Sequence, residues 1–159
     1  MQKVQIVCVG KLKEAYWRQA CEEYEKRLRP FADFRIVELP ECRLPDTPSQ
    51  AQIDAALEEE GRHILSICGS GEKIPLCIEG KEIDSPALAR HLQQAAVQGA
   101  GQVSFIIGSS FGLAPVVKQA GRLRLSMSPM TFPHQLARVM LCEQIYRAFQ
   151  ILNHGKYHK

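Results

Sequence analysis

The sequence predicts an α/β protein in which a mostly parallel sheet carries helices on both faces. Three observations lead there. Short apolar runs stop at glycine, as in QKVQIVCV before Gly10, IPLCIE before Gly80 and VSFII before Gly108. Segments with apolar residues at helical spacing lie between those runs. The two kinds of segment alternate along almost the whole chain, the pattern of strand–helix–strand units that build parallel sheets.

Each element has its own local warrant. Residues 2–9 read as a strand, and Glu14 to Leu28 as a helix with Ala15, Trp17, Cys21, Tyr24 and Leu28 on its apolar face, stopped by Pro30. Phe34 to Leu39 alternates as a second strand, and the three prolines of PECRLPDTPS make a loop of residues 40–48 rather than a domain linker. A helix begins near Ser49 and runs to about His63, with Ile64 to Cys68 fitting either its last turn or a new turn. Ile74 to Glu79 is a strand ended by Gly80. Ser85-Pro86 reads as a helix cap followed by proline in the first turn. Val103 to Ile107 is a buried strand, Pro115 to Ala120 a short helix and Arg122 to Met127 an alternating strand. A long helix from Pro133 to about Leu152 closes the chain. Its apolar residues cover too much of its circumference for one sheet contact, so a second partner surface is expected.

Length and composition bound the function. The chain has 159 residues, 45% hydrophobic and 23% charged, which makes one globular domain over 1–159 and excludes a disordered chain. The net charge of +3 conceals a split: residues 1–62 hold 10 Lys and Arg against 12 Asp and Glu, whereas residues 85–159 hold 8 against 1. A basic C-terminal half suits a polyanionic partner, with a plain solvated basic surface as the alternative. The six cysteines form no CxxC pair, and Cys8, Cys68 and Cys77 lie in apolar runs where a thiol acts as a small hydrophobe. No run approaches the roughly 20 apolar residues of a membrane span. The five histidines share no metal spacing with the cysteines. Reduced thiols, no metal, no membrane and a cytoplasmic location are the expectations.

Ligands of open α/β sheets sit beyond the carboxyl ends of strands, which singles out LCIEG at 76–80 and FIIGSSFG at 105–112. The second run is neither GxGxxG nor GK[ST]. It matches GxSxG with Ser110 central, but Glu143 is the only later acid and only His154 and His158 follow it, so a serine hydrolase is a poor fit. The segment LSMSPMTFPHQLAR at 125–138 is denser in chemistry. Pro129 and Pro133 keep backbone groups out of regular hydrogen bonding, where they can meet an adenine edge, and Met127, Met130 and Phe132 can wall an apolar pocket or simply pack. His134 and Arg138, then Glu143 and Arg147, stand four apart on the last helix. The ending Tyr157-His158-Lys159 sets an aromatic beside cations, suited to an unpaired base, although a frayed tail is the ordinary expectation.

The run FIIGSSFGL…LSMSPMTFPHQLARVMLCEQIYRA…YHK, together with the opening IVCVGKLK and the IEGK segment, resembles the pseudouridine N3-methyltransferases of bacterial 23S ribosomal RNA. These are small members of the SPOUT, or trefoil-knotted, methyltransferases, and the resemblance covers the whole chain. It implies a C-terminal trefoil knot, a homodimer, S-adenosyl-L-methionine as cofactor and 23S rRNA of the assembled ribosome as substrate. Carried over by position, the cofactor contacts are Leu76, Gly108, Met127, Ser128, Pro129, Met130, Thr131 and Phe132. The tail residues Tyr157, His158 and Lys159 become substrate contacts that complete the facing subunit's site. The chain departs from the family at Ser109, where a second glycine is usual, and at Pro129. Methylation at N3 requires the acceptor to lose a proton or its developing anion to be stabilised. His134, Arg138 and Arg147 are the candidates for that work, with His134 positioning and an arginine supplying charge. A non-enzymatic ribosome- or RNA-binding module is the competing class.

Overall fold

A computed structural model describes residues 1–159. Ten elements follow in order: β1 (Lys3–Val9), α1 (Ala15–Leu28), β2 (Asp33–Leu39), α2 (Gln50–Cys68), β3 (Glu72–Glu82), α3 (Ser85–Val97), β4 (Val103–Ile107), α4 (Pro115–Gln119), β5 (Leu125–Ser126) and α5 (His134–Leu152). The five strands form one sheet in the order β2-β1-β4-β3-β5, and every pair is parallel. Parallel strands need long crossovers, and the helices supply them.

The period-two alternation of the strands divides the core. Val4, Ile6 and Cys8 of β1 with Phe105 and Ile107 of β4 face α1, α3 and α5. Val7 and Val9 with Ile106 face α2 and α4 through Ile64, Cys68 and Val117. Gln5 also points to the α2 side and is fully buried, but it is satisfied: its Nε2 donates to Ser104 Oγ at 2.9 Å and its Oε1 accepts from Arg35 Nε at 3.0 Å. Both partners are its register neighbours on β4 and β2. Burial pushes the Cys8 thiol up to about 12, in keeping with a cysteine that packs as a hydrophobe.

Several boundaries differ from the expected ones, each for a local reason. α2 extends to Cys68 because Ile64 and Cys68 are core residues on its buried face. α3 is capped by Asp84, whose Oδ1 accepts from Ala87 N–H at 2.8 Å, so Ser85 is its first helical residue rather than its cap. Ser85 Oγ donates instead to Gln144 Oε1 at 2.6 Å. Of the strand expected over Arg122 to Met127 only Leu125 and Ser126 pair. The second surface needed by α5 lies within the chain: α5 packs between α1 and α3 above the sheet, burying Leu141, Cys142, Ile145, Ala148 and Phe149.

The largest departure is in β3, which does not stop at Gly80. Its last partner on β4 is Pro75, opposite Ile106. Leu76 then pairs with Leu125 of β5, and Lys81 pairs with the same Leu125, so Cys77 to Gly80 are thrown out of the ladder as a wide bulge. Pro75 is tolerated there because it has no N–H to lose at a point where the strand changes neighbours. The bulge closes on Gly80, where a β-carbon would lie 2.6 Å from the Arg124 carbonyl oxygen. Gly80→Ala is therefore expected to lower stability by about 2 kcal/mol through forced backbone movement, read as a lower urea midpoint at unchanged slope.

Candidate functional site

The bulge of β3 forms one wall of a cavity of about 340 Å³ at the carboxyl ends of β3, β4 and β5. Leu76, Cys77, Ile78 and Glu79 line that wall. The turn after β4, from Ile107 to Leu113, lines the second, with Lys118 of α4 behind it. The third is Leu125 to Ser128 with Met130, Thr131 and Phe132, and His134 and Ala137 of α5 close the end. The position follows the rule for open parallel sheets, where diverging strand ends leave a crevice.

Close backbone approach shapes the β4 turn. A β-carbon on Gly108 would sit 2.3 Å from the Gly112 carbonyl oxygen. Gly112 N–H donates to Ser109 O at 2.9 Å, and Phe111 N–H reaches Ser109 Oγ at 3.4 Å, so the turn is tied on itself. Ser109 is buried and turned toward Glu60 of α2. The Glu60 Oε2 accepts from Cys42 N–H at 2.9 Å, while its Oε1 is buried without a partner. Burial raises the Glu60 carboxyl, and the neighbouring charges of Glu41 and Glu59 add to the effect. The Cys42 N–H and the Ser109 hydroxyl oppose it. This carboxyl thus ties the proline-rich loop at 40–48 to α2.

The third wall leaves backbone groups open. Within residues 127–132 no N–H donates to a backbone carbonyl, and the Met130 N–H goes to Ser128 Oγ at 3.0 Å. Ser126 Oγ donates to Ser128 O at 3.2 Å, which bends the segment away from β5. Unpaired backbone donors beside Leu76, Met127 and Phe132 make an apolar slot with a polar edge, a chemistry that fits a purine ring.

Of the residues expected to contact a cofactor, Leu76, Gly108, Met127, Ser128, Met130, Thr131 and Phe132 all line this cavity. Pro129 lies in the same loop but is turned to solvent, outside the lining. His134 is on the cavity wall. Arg138 is not: it is 5% exposed, and its Nη1 donates to Glu38 Oε2 at 2.6 Å and its Nη2 to Gly10 O at 3.2 Å. It thereby pins the start of α5 to the ends of β1 and β2. Ser110 is exposed on the cavity rim, and its hydroxyl bonds to no histidine, which removes the basis of a hydrolase triad. Lys118 in the cavity wall and the buried Glu60 carry no signal in the sequence. Glu79 lies within the LCIEG strand end that the sequence marks as a ligand position.

Arg147 and the chain end gather around Glu143, beside a second cavity. Glu143 accepts from Arg147 Nη2 at 2.7 Å and Nε at 3.1 Å, and from Tyr157 Oη at 3.0 Å. The Arg147 guanidinium lies 4.6 Å from the Tyr157 ring centre, and Tyr146 packs edge-on against the same ring at 4.9 Å. His158 Nδ1 is 3.3 Å from Arg147 Nη1. The tail is therefore folded back along α5 rather than frayed. His158 lines a cavity of about 640 Å³ with Asp84, Ser85, Met140, Glu143 and Gln144. Leu125, Ser126 and Met127 are common to both cavities, so one short wall separates them.

Two outcomes follow from these buried charges. Arg138→Ala strands Glu38 and the Gly10 carbonyl, and a loss of about 2 kcal/mol is expected in urea unfolding, less than for a wholly buried pair because Glu38 is partly solvated. Glu60 binds its proton more tightly folded than unfolded, so wild-type stability should fall as pH rises above its ordinary value of 4.5. Glu60→Gln keeps the Cys42 bond and should flatten that fall, measured as unfolding free energy against pH.

Comparison with known proteins agrees with this architecture. The chain resembles a probable methyltransferase from Bordetella pertussis Tohama I with TM-score 0.60 and 15% identity, over 93% of this chain and 95% of that one. It also resembles a probable methylase family protein from Haemophilus influenzae Rd KW20 with TM-score 0.55 and 12% identity, over 99% of this chain and 71% of that one. At such identities the likeness is one of fold. A family model described as "Predicted SPOUT methyltransferase" matches residues 2–158, nearly the entire sequence. The chain belongs to the SPOUT methyltransferase family.

Proposed function

We propose that this methyltransferase uses S-adenosyl-L-methionine to methylate N3 of a pseudouridine in 23S rRNA of the assembled ribosome. We further propose that it works as a homodimer with its C-terminal part knotted. The observation that carries the reading is the coincidence at the first cavity. Seven of the eight positions that the MTFPHQLAR…YHK resemblance assigns to the cofactor line one crevice at the strand ends. The residues present fit that group: an apolar slot, unpaired backbone donors beside it and a volume in the range of small-ligand sites.

When bound, the cofactor supplies an electrophilic methyl group on a sulfonium. The chain supplies position. Met127 and Phe132 exclude water from the slot, and the backbone of 127–132 orients the purine. His134, on the wall of this cavity, orients the acceptor or takes the N3 proton. Arg147, whose Nη1 lies 3.3 Å from Nδ1 of the His158 that lines the second cavity, offers a cationic hydrogen-bond donor to an acceptor that becomes anionic at N3. Arg138 contributes by holding the first turn of α5, and so His134, at its place. Tyr157, His158 and Lys159 contact the RNA, in a dimer at the facing subunit's site. The basic C-terminal half, 8 cations to 1 anion over residues 85–159, suits the phosphates around it.

Nucleoside mass spectrometry of ribosomal RNA from cells lacking the gene should show loss of one methyl group on a pseudouridine. In calorimetric titration the protein should bind S-adenosylmethionine saturably. Deletion of residues 157–159 should abolish methylation while cofactor affinity changes by no more than about twofold. Saturable binding with unchanged rRNA would retain the cofactor and refute the substrate; no binding at all would favour the ribosome-binding module.

A further inference from the structure

Besides the imidazole of His134, the first cavity is lined by only two side chains that carry full charges at neutral pH, Glu79 and Lys118. They come from different walls. Glu79 is carried by the bulge of β3, and Lys118 by α4, whose place is set by the buried Val117 one residue earlier. Lys118 Nζ donates to Glu79 Oε1 at 2.6 Å. Stability does not account for the pair: Glu79 is half exposed and Lys118 about a third, and an ion pair so wetted contributes roughly 0–1 kcal/mol. The Lys118 hydrogen bond, and then the Glu79 backbone N–H, hold the Glu79 carboxyl below the usual glutamate range, so it is an anion at neutral pH.

A cation and an anion in direct contact at a cavity edge present the complement of a zwitterion, whose ammonium and carboxylate are a single carbon apart. The rest of the lining is apolar side chains, hydroxyls, backbone and the His134 imidazole, and it holds no other carboxylate or ammonium to meet such a group. We propose that Glu79 and Lys118 together read the amino-acid end of the cofactor, with Lys118 Nζ taking its carboxylate and Glu79 its ammonium. The inference rests on the reading that this cavity holds S-adenosylmethionine. Binding then exchanges one exposed ion pair for two with the ligand, and without ligand the two residues neutralise each other. The demethylated product keeps the same zwitterion and is held equally by this pair, whereas an adenosine thioether without the amino acid is not.

The test is calorimetric titration of wild type, Lys118→Met, Glu79→Gln and the double variant with S-adenosylhomocysteine and with 5′-methylthioadenosine, which lacks the amino acid. Wild type should prefer S-adenosylhomocysteine by about tenfold or more, the effect of one charge-assisted contact. Each single variant should lose about tenfold for S-adenosylhomocysteine while 5′-methylthioadenosine stays within about twofold. The double variant should lose less than the product of the single losses, because both residues serve one ligand group. Unchanged S-adenosylhomocysteine affinity in both variants, or parallel loss of both ligands, overturns the assignment. Equal wild-type affinity for the two ligands overturns it while leaving the cofactor reading intact. A wild type that binds neither overturns both. Thermal melts within a degree or two of wild type are expected throughout, since an ion pair so open to solvent contributes little to stability.

Discussion

The site depends on a single event in the sheet, the point after Pro75 where β3 leaves β4 and pairs with β5 instead. Because Leu125 answers both Leu76 and Lys81, four residues have no place in the ladder and must bulge outward. That bulge forms one wall of the crevice and carries Glu79 into reach of α4. It also fixes where β5 ends, and so where the loop of 127–132 begins. A regular β3 would put Cys77 to Gly80 back into the ladder and remove that wall. Bulges next to functional sites re-aim side chains in this way, and here the bulge makes the cavity as well.

A second constraint holds the opposite end. The loop of 127–132 has few bonds of its own, which leaves its donors available but would also leave it loose. Its two ends are secured elsewhere: by the Leu125 and Ser126 pairing on one side, and on the other by α5, whose first turns Arg138 pins to Glu38 and Gly10, 100 and 128 residues earlier in the sequence. A recognition loop that uses backbone atoms needs rigid ends more than internal bonds, and a buried arginine with two partners provides one of them.

Electrostatics divides the two cavities. The first is apolar, with one self-neutralised pair at its edge. The second is bordered by a ring in which Glu143, the only acid after residue 84, gathers Arg147 and Tyr157. Glu143 therefore acts as the anchor of the tail, and the last helix and the chain end form one unit.

The sequence by itself determined the element order, the α/β class and the burial of β4, because alternation and helical spacing are local and the chain can satisfy them nearly independently. It also marked most of one cavity, since Gly108 and the loop at 127–132 are unusual in composition within a few residues. Tertiary structure decided what depended on distant partners. IPLCIEG reads as an uninterrupted strand, and nothing in it announces that Leu125 will claim two of its neighbours. Arg138 and Arg147 occupy the same kind of helical position, yet one is buried against Glu38, some 100 residues earlier, and the other stays beside the chain end. Lys118 sits in a segment with no motif at all and enters the site only because α4 is laid across the bulge. Spacing along a helix fixes which way a side chain points, but the charge it meets is chosen by the packing of the whole chain.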